Sequence, residues 1–124
     1  VPQDFQPVLA VSELEEDRPR RVEVWDEDER AAVPVVLVRH RGRICAMGAR
    51  CSHMGGPLDG GWVLEGALVC PWHGSRYYLA TGRPIDGPST CPQPLWSVRV
   101  RDGTIELKRR QDPGSSAVTT QDVH

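Results

Sequence analysis

The chain has 124 residues, a formal net charge of −2 and few aromatic residues. This length fits a single domain, and the nearly balanced charge gives no overall basic field that would attract nucleic acid. No apolar run approaches the roughly 20 residues that a membrane span requires. The 12 glycines and 11 prolines favour strands and turns over long helices, so the composition argues against a helical bundle and against a two-domain enzyme.

The pattern of apolar and polar residues predicts short strands separated by turns. A short helical turn is predicted over residues 12–16, with Ser12 as its cap, and the acidic residues 26–29 are predicted to form a solvated turn. Alternating or β-branched segments predict strands at residues 21–25, 33–38, 44–47, 63–64, 67–69, 77–79, 96–101 and 104–108. Glycine-containing pairs place hairpin turns at Arg41-Gly42, Glu65-Gly66 and Asp102-Gly103. Several short strands at close spacing predict an all-β domain.

The composition divides the chain into two parts. Residues 1–110 carry the strand pattern and are predicted to form one domain. Residues 111–124 contain almost no apolar side chains, so they are predicted to be a disordered tail or a linker. The first residues show no charged segment followed by an apolar one, and a cytoplasmic location is expected; because the chain begins with Val1 rather than Met, a targeting segment removed before Val1 is the alternative.

Two clusters of metal-ligating residues lie in turns that are rich in glycine and proline. Cys51-x-His53 is followed, after sixteen residues, by Cys70-x-x-His73. Two thiolates and two imidazoles can hold one metal centre, and tetrahedral zinc is one candidate. Structural zinc sites usually pair like ligands, whereas each loop here supplies one cysteine and one histidine. This division favours a [2Fe–2S] cluster with two cysteines on one iron and two histidines on the other.

On these two loops the sequence resembles the Rieske iron–sulfur family, over about residues 8–109. The resemblance implies a Rieske-type antiparallel β sandwich with a small cluster-binding subdomain, whose two loops hold a Rieske-type [2Fe–2S] cluster. It implies that Cys51 and Cys70 bind the buried iron, and that His53 and His73 bind the outer iron. It also places a third, proline-bearing loop at Gly87-Pro88, and an apolar collar around the cluster at Met54, Pro57, Leu58 and Pro88.

Departures from the family pattern indicate which type of Rieske protein this chain resembles most. Respiratory members carry a disulfide between the two loops, but those positions are Gly56 and Trp72 here. Trp72 is therefore expected either to cover the cluster in place of the disulfide or to contact a partner. Ring-hydroxylating oxygenases usually have tryptophan where this chain has Ser75, and they need a further domain with more metal ligands. Stand-alone Rieske ferredoxins fit the size of the chain best.

Two hydroxyl groups are expected to tune the cluster. Ser75 and Tyr77 match the donors that respiratory members aim at the cluster, where a hydrogen bond to sulfur favours the reduced state. Tyr78 is expected to point the other way, because side chains alternate along a strand. Outside the motif, Cys45 is interpreted as a small buried side chain. Trp62 and Trp96 are interpreted as packing residues of the core or collar.

The function implied by the resemblance is one-electron transfer, with no substrate transformed and no catalytic residue. The chain would be a ferredoxin component that takes electrons from a flavin reductase and delivers them to an oxygenase. One alternative is a small Rieske-like subunit or a detached domain of a larger oxidoreductase, of the nitrite-reductase or membrane-anchored type. A zinc-stabilised binding module is the alternative of another class.

Overall fold

The computed structural model describes residues 5–51, 55–72, 74–85 and 93–110. These residues form nine strands: β1 (Gln6–Ala10), β2 (Arg20–Asp26), β3 (Ala31–His40), β4 (Arg43–Gly48), β5 (Trp62–Leu64), β6 (Ala67–Val69), β7 (Arg76–Tyr78), β8 (Leu95–Arg101) and β9 (Thr104–Arg109). Two short 3₁₀ helices lie at Val11–Glu13 and Leu58–Gly60. The expected all-β class is confirmed. Among the described residues, no helix is long and apolar enough to span a membrane.

Two antiparallel sheets make up the domain. The larger has six strands in the order β1-β9-β8-β4-β3-β2, and the smaller has three in the order β5-β6-β7. The three predicted hairpin turns are confirmed, and in each of them both residues have a positive φ, as two-residue hairpins of this type require. The chain leaves the large sheet after β4, builds the small sheet and returns through β8. The cysteine-bearing loops therefore belong to the excursion between β4 and β8.

Strand β3 supplies apolar side chains to both faces of the large sheet, which explains its continuous apolar run. Val35 and Leu37 belong to a core cluster that also contains Trp96. Val36 and Val38 belong to a second cluster, which lies towards the small sheet and includes both motif cysteines. The second cluster therefore joins the large sheet to the loops that carry the candidate ligands.

One side chain connects the two edge strands of the large sheet. The Gln6 Nε2 amide donates to the Trp25 carbonyl at 2.8 Å, and the Trp25 N–H donates to Gln6 Oε1 at 3.1 Å. The amide thus satisfies backbone groups on β2 that would otherwise lack a strand partner at this edge.

Three features differ from the sequence-based expectations. Strand β1 was not predicted, since Pro7 interrupts its apolar pattern and its pairing with β9 shifts register beside that proline. The predicted helical turn is the 3₁₀ helix at Val11–Glu13, and it has no side-chain cap from Ser12. Asp26 is buried rather than solvated, because its carboxylate pairs with Arg109 and accepts the Asp28 N–H at 2.9 Å.

Candidate metal centre

The two cysteine-bearing loops have the same backbone design. In the first, the Cys51 N–H donates to the Gly56 carbonyl and the Gly55 N–H donates to the Cys51 carbonyl, each at 2.7 Å. In the second, the Cys70 N–H donates to the Ser75 carbonyl at 2.8 Å, and the Gly74 N–H donates to the Cys70 carbonyl at 3.1 Å. Each cysteine thus opens a closed turn that carries the intervening histidine.

The glycine four residues after each cysteine is required by this design. Gly55 has φ +78° and Gly74 has φ +76°, in the left-handed region that L side chains rarely adopt. The loops are rich in glycine, as expected, but the repeat of this glycine position was not anticipated. The common spacing from Cys51 to Gly55 and from Cys70 to Gly74 was the signal that could have found it.

Both cysteine side chains are buried in the core cluster between the two sheets. Leu58 lies in the same cluster and is fully buried, so it packs behind the loops, while Pro57 is exposed beside it. The Tyr77 hydroxyl oxygen lies 3.0 Å from Cys51 Sγ, and Tyr77 is fully buried. Tyr78 is exposed, as strand alternation predicted.

Ser75 presents a buried hydroxyl group beside the second cysteine. The residue is fully buried, and its Oγ has no hydrogen-bond partner within the described part of the chain. A buried hydroxyl without a partner is costly, by about 1–3 kcal/mol. Such a group is expected where a ligand supplies the missing acceptor.

The loops are packed against each other at Gly56. A Cβ atom added there would lie 2.9 Å from Cys70 Sγ and 3.0 Å from Cγ and Cδ2 of Trp72. The indole of Trp72 therefore rests on the backbone of the first loop, while the residue as a whole is 57% exposed. Both interpretations of Trp72 accord with this geometry, since one part of the ring contacts the first loop and much of the residue faces outward.

A further residue anchors the loops and was not anticipated. The Gln93 Nε2 amide donates to the carbonyls of Gly48 and Arg50, each at 2.8 Å, just before the first loop begins. The Gln93 backbone N–H donates to the Gly82 carbonyl at 2.7 Å, in the turn after β7. Gln93 is buried and links segments that are more than 40 residues apart in the chain, and no local sequence pattern signals such a contact.

Several residues of the predicted site lie outside the described residues, namely His53, His73, Met54 and Pro88. Their roles as ligands and collar remain predictions. Among the packing residues, Trp96 is buried in the core as expected. Trp62 is 51% exposed and its register on β5 turns it away from the core cluster, so it does not pack in the core; the collar alternative for this residue stays a prediction.

Cys45 lies apart from the two loops, on β4, and its thiol forms no disulfide with another cysteine of the described residues. Burial raises the pKa of this thiol, and the nearby positive charge of Arg43 opposes the shift only in part. The neutral thiol is thus favoured, in line with its interpretation as a small, partly buried side chain.

The described residues fit a [2Fe–2S] cluster. Two buried cysteines lie on matching turns, and the Tyr77 hydroxyl lies 3.0 Å from the sulfur of one of them. The buried Ser75 hydroxyl has no acceptor among the described residues. Sulfur ligands supplied by two loops, together with donors to sulfur, form the surroundings expected of an iron–sulfur centre.

Comparison with known proteins agrees with this site. The family model of the Rieske [2Fe-2S] domain matches residues 4–106, and the chain belongs to this family. The cofactor is accordingly a Rieske-type [2Fe–2S] cluster, which replaces the zinc alternative. Members of the family hold it with two cysteines and two histidines.

Relatives of two kinds are similar to the chain. It is 31% identical over 101 residues to the 3-phenylpropionate/cinnamic acid dioxygenase ferredoxin subunit of Photorhabdus laumondii, covering 81% of this chain and 90% of that protein. It is 37% identical over 102 residues to human apoptosis-inducing factor 3, covering 82% of this chain but only 16% of that longer protein. Among solved structures, a complex of reduced oxygenase and oxidized ferredoxin in carbazole 1,9a-dioxygenase contains a chain with a TM-score of 0.74. That chain is 25% identical, and the match covers 86% of this chain and 95% of that one.

Proposed function

We propose that the chain is a one-electron carrier of the Rieske ferredoxin type, which accepts an electron from a flavin reductase and delivers it to an oxygenase in the cytoplasm. The observation that carries the proposal is the pair of buried hydroxyl groups at the candidate metal centre. One lies 3.0 Å from a cysteine sulfur, and the other has no partner in the described residues. Donors placed at sulfur stabilise added negative charge, as a carrier of electrons requires.

Each of the two loops supplies one proposed ligand to each iron. Cys51 and Cys70 are the proposed ligands of the inner iron, because both are buried in the core cluster. His53 and His73 are the proposed ligands of the outer iron, as the family arrangement implies. When bound, the cluster supplies a one-electron redox change, and the protein's own contribution is to hold it, shield it and set its potential.

The ferredoxin assignment draws support from the relatives. The chain spans nearly the full length of a dioxygenase ferredoxin subunit, and it resembles a chain in a complex between an oxygenase and a ferredoxin.

The direct test is electron delivery in a purified system. The reconstituted protein is reduced under anaerobic conditions and mixed with a purified dioxygenase oxygenase component, and bleaching or recovery of its visible spectrum is followed by stopped flow. We expect oxidation of the carrier by the oxygenase and reduction of the carrier by a flavin reductase with NADH. A protein that forms the cluster but exchanges electrons with neither partner contradicts the proposal. Cys70→Ser, which removes a proposed ligand, is the control without a cluster.

A second candidate function is favoured by the match to apoptosis-inducing factor 3. The chain covers only 16% of that protein's length, so a Rieske domain also occurs there as part of a much longer polypeptide. In this case the electron would pass within one polypeptide rather than between separate proteins. Mass spectrometry of the native polypeptide distinguishes the two candidates, because the ferredoxin has a mass close to 13.8 kDa.

A further inference from the structure

The small sheet has an apolar face that is turned towards solvent. The register pairs Trp62 with Val69 and Val69 with Arg76, and it pairs Leu64 with Ala67 and Ala67 with Tyr78. Side chains of paired residues lie on the same side of a sheet. We call the side formed by these two rows the outer face; it consists of Trp62, Leu64, Ala67, Val69, Arg76 and Tyr78.

Burial separates the outer face from the inner one. Val63, Leu68 and Tyr77, which alternate with the outer residues, pack in the core cluster with the two motif cysteines. Ala67 and Val69 are also buried, yet they belong to neither core cluster. Their larger neighbours on the outer face therefore cover them.

Three large side chains on this face are about half exposed. Trp62 is 51% exposed, Leu64 45% and Tyr78 49%. A large side chain of this kind presents about 150–250 Å² in all, so the three offer on the order of 300 Å² of apolar surface. The largest apolar patch on a typical soluble monomer is of about this size, roughly 300–600 Å², and is often functional.

The outer face lies beside the candidate metal centre. Val69 is followed directly by Cys70, and Arg76 directly follows Ser75, so the second ligand loop joins strands β6 and β7 at one end of this face. A protein bound here would lie close to the second ligand loop and therefore to the candidate metal centre. We propose that the outer face is a docking surface for the oxygenase that accepts the electron, an inference that rests on the proposed function.

The size of the patch favours a transient partner. A stable interface buries about 800 Å² per partner, more than twice what this patch offers, whereas electron-transfer encounters lie at the low end of the range. The patch alone is therefore too small for a stable dimer of this chain. It suits a partner that must bind, accept one electron and leave.

The charges around the face indicate the chemistry of the partner. Arg76 lies on the face itself, and Arg83 lies next to it, since the Tyr78 N–H donates to the Arg83 carbonyl at 2.9 Å. Glu65 occupies the hairpin turn beside Leu64, at the opposite edge. The matching surface is thus apolar, with a carboxylate facing the exposed Arg83.

The C-terminal segment, residues 111–124, is a poor match for this face. Residues 111–124 contain only Ala117, Val118 and Val123 as apolar residues, with no aromatic ring and no leucine or isoleucine. Three small or β-branched side chains in a polar segment offer little surface to cover Trp62, Leu64 and Tyr78. The composition therefore favours an external partner over this segment.

A matched pair of substitutions tests the docking surface. Leu64→Glu places a charge on the outer face, and Val100→Glu places the same charge on β8, at a residue that is 50% exposed. The reduced protein is mixed with the oxygenase component of carbazole 1,9a-dioxygenase, and the second-order rate constant of its oxidation is measured. We expect about a tenfold lower rate constant for Leu64→Glu, because a carboxylate would replace apolar contact surface at the docking face, and less than a twofold change for Val100→Glu. Both variants should keep the parent's visible spectrum and midpoint potential.

Three other results would overturn the inference in distinguishable ways. Equal rate constants for Leu64→Glu and the parent show that the oxygenase docks elsewhere, while the proposed function stands. A parent protein that passes no electrons to the oxygenase removes the proposed function and the docking surface with it. A parent that sediments as a dimer, and as a monomer after Leu64→Glu, identifies a second copy of the chain as the occupant.

Discussion

Removing the hydroxyl group of Tyr77 tests how the protein sets its potential. The phenol oxygen lies 3.0 Å from Cys51 Sγ in a fully buried position. When Cys51 is a metal-bound thiolate, the sulfur can only accept, so the phenol must donate. The bond strengthens when the reduced cluster places more negative charge on sulfur. Tyr77→Phe therefore destabilises the reduced state more than the oxidised one, and the midpoint potential should fall.

The size of the fall can be worked from the bond energy. A hydrogen bond to a charged group contributes about 1.5–3 kcal/mol, and only the difference between the two redox states moves the potential. If a third to a half of the bond energy differs, about 0.5–1.5 kcal/mol, the potential falls by roughly 20–65 mV, at about 59 mV per 1.4 kcal/mol for one electron. For the parent we expect a potential of roughly −50 to +150 mV, near the middle of the Rieske range.

The assay is protein-film voltammetry or an EPR-monitored redox titration of the parent and two variants. Tyr78→Phe is the matched control, because it removes the same atom from the neighbouring residue, which is exposed. We expect a fall of tens of millivolts for Tyr77→Phe, an unchanged potential for Tyr78→Phe, and an intact visible spectrum in both. A Tyr77→Phe potential equal to the parent's would refute the reasoning, since the hydroxyl would then not act on the cluster.

Three further substitutions are expected to separate the roles of residues around the loops. Ser75→Ala should lower the midpoint potential of the protein that contains the cluster. It should leave the apoprotein equally or more stable to urea, because it removes a buried hydroxyl that has no partner in the described residues. A destabilised apoprotein would contradict this. Gly56→Ala should reduce iron content, since its Cβ would lie 2.9 Å from Cys70 Sγ, whereas Gly60→Ala, with no neighbour closer than 3.9 Å, should load normally. Cys45→Ser should keep the full Rieske spectrum, and a bleached variant would contradict the ligand assignment. Alkylation of the parent's Cys45 should be slow at neutral pH and accelerate as the pH rises, because burial raises the pKa of this thiol.

The local features of the fold were predictable from the sequence, and the distant contacts were not. Hairpin turns such as Asp102-Gly103 were recognisable because these two residue types adopt a positive φ more readily than most, and both do so here. The connection of Gln6 to Trp25, by contrast, joins residues 19 apart through a side-chain amide that has no sequence signature. The ion pair between buried Asp26 and partly buried Arg109 spans 83 residues, so nothing local to the acidic turn could indicate that its first carboxylate is buried.

The same division holds for the candidate metal centre. The cysteine and histidine spacing was sufficient to predict the class of centre, because the ligands of each loop are close in sequence. Strand alternation was sufficient to distinguish Tyr77 from Tyr78. The anchoring role of Gln93 and the packing of Trp72 on Gly56 depend on how the loops meet in space. Alternation alone also left open which face of the small sheet would be covered, and Trp62, interpreted as core or collar packing, lies on the exposed face.

The central claim is that two cysteines and two histidines of this chain hold a [2Fe–2S] cluster. The most direct measurement is pulsed EPR of the dithionite-reduced protein, prepared with ¹⁵N-labelled histidine and compared with the unlabelled protein. We expect an S = 1/2 signal with hyperfine couplings from two histidine nitrogens that change with the label. A protein that binds zinc and gives no such signal, or a cluster signal without histidine couplings, would contradict the account.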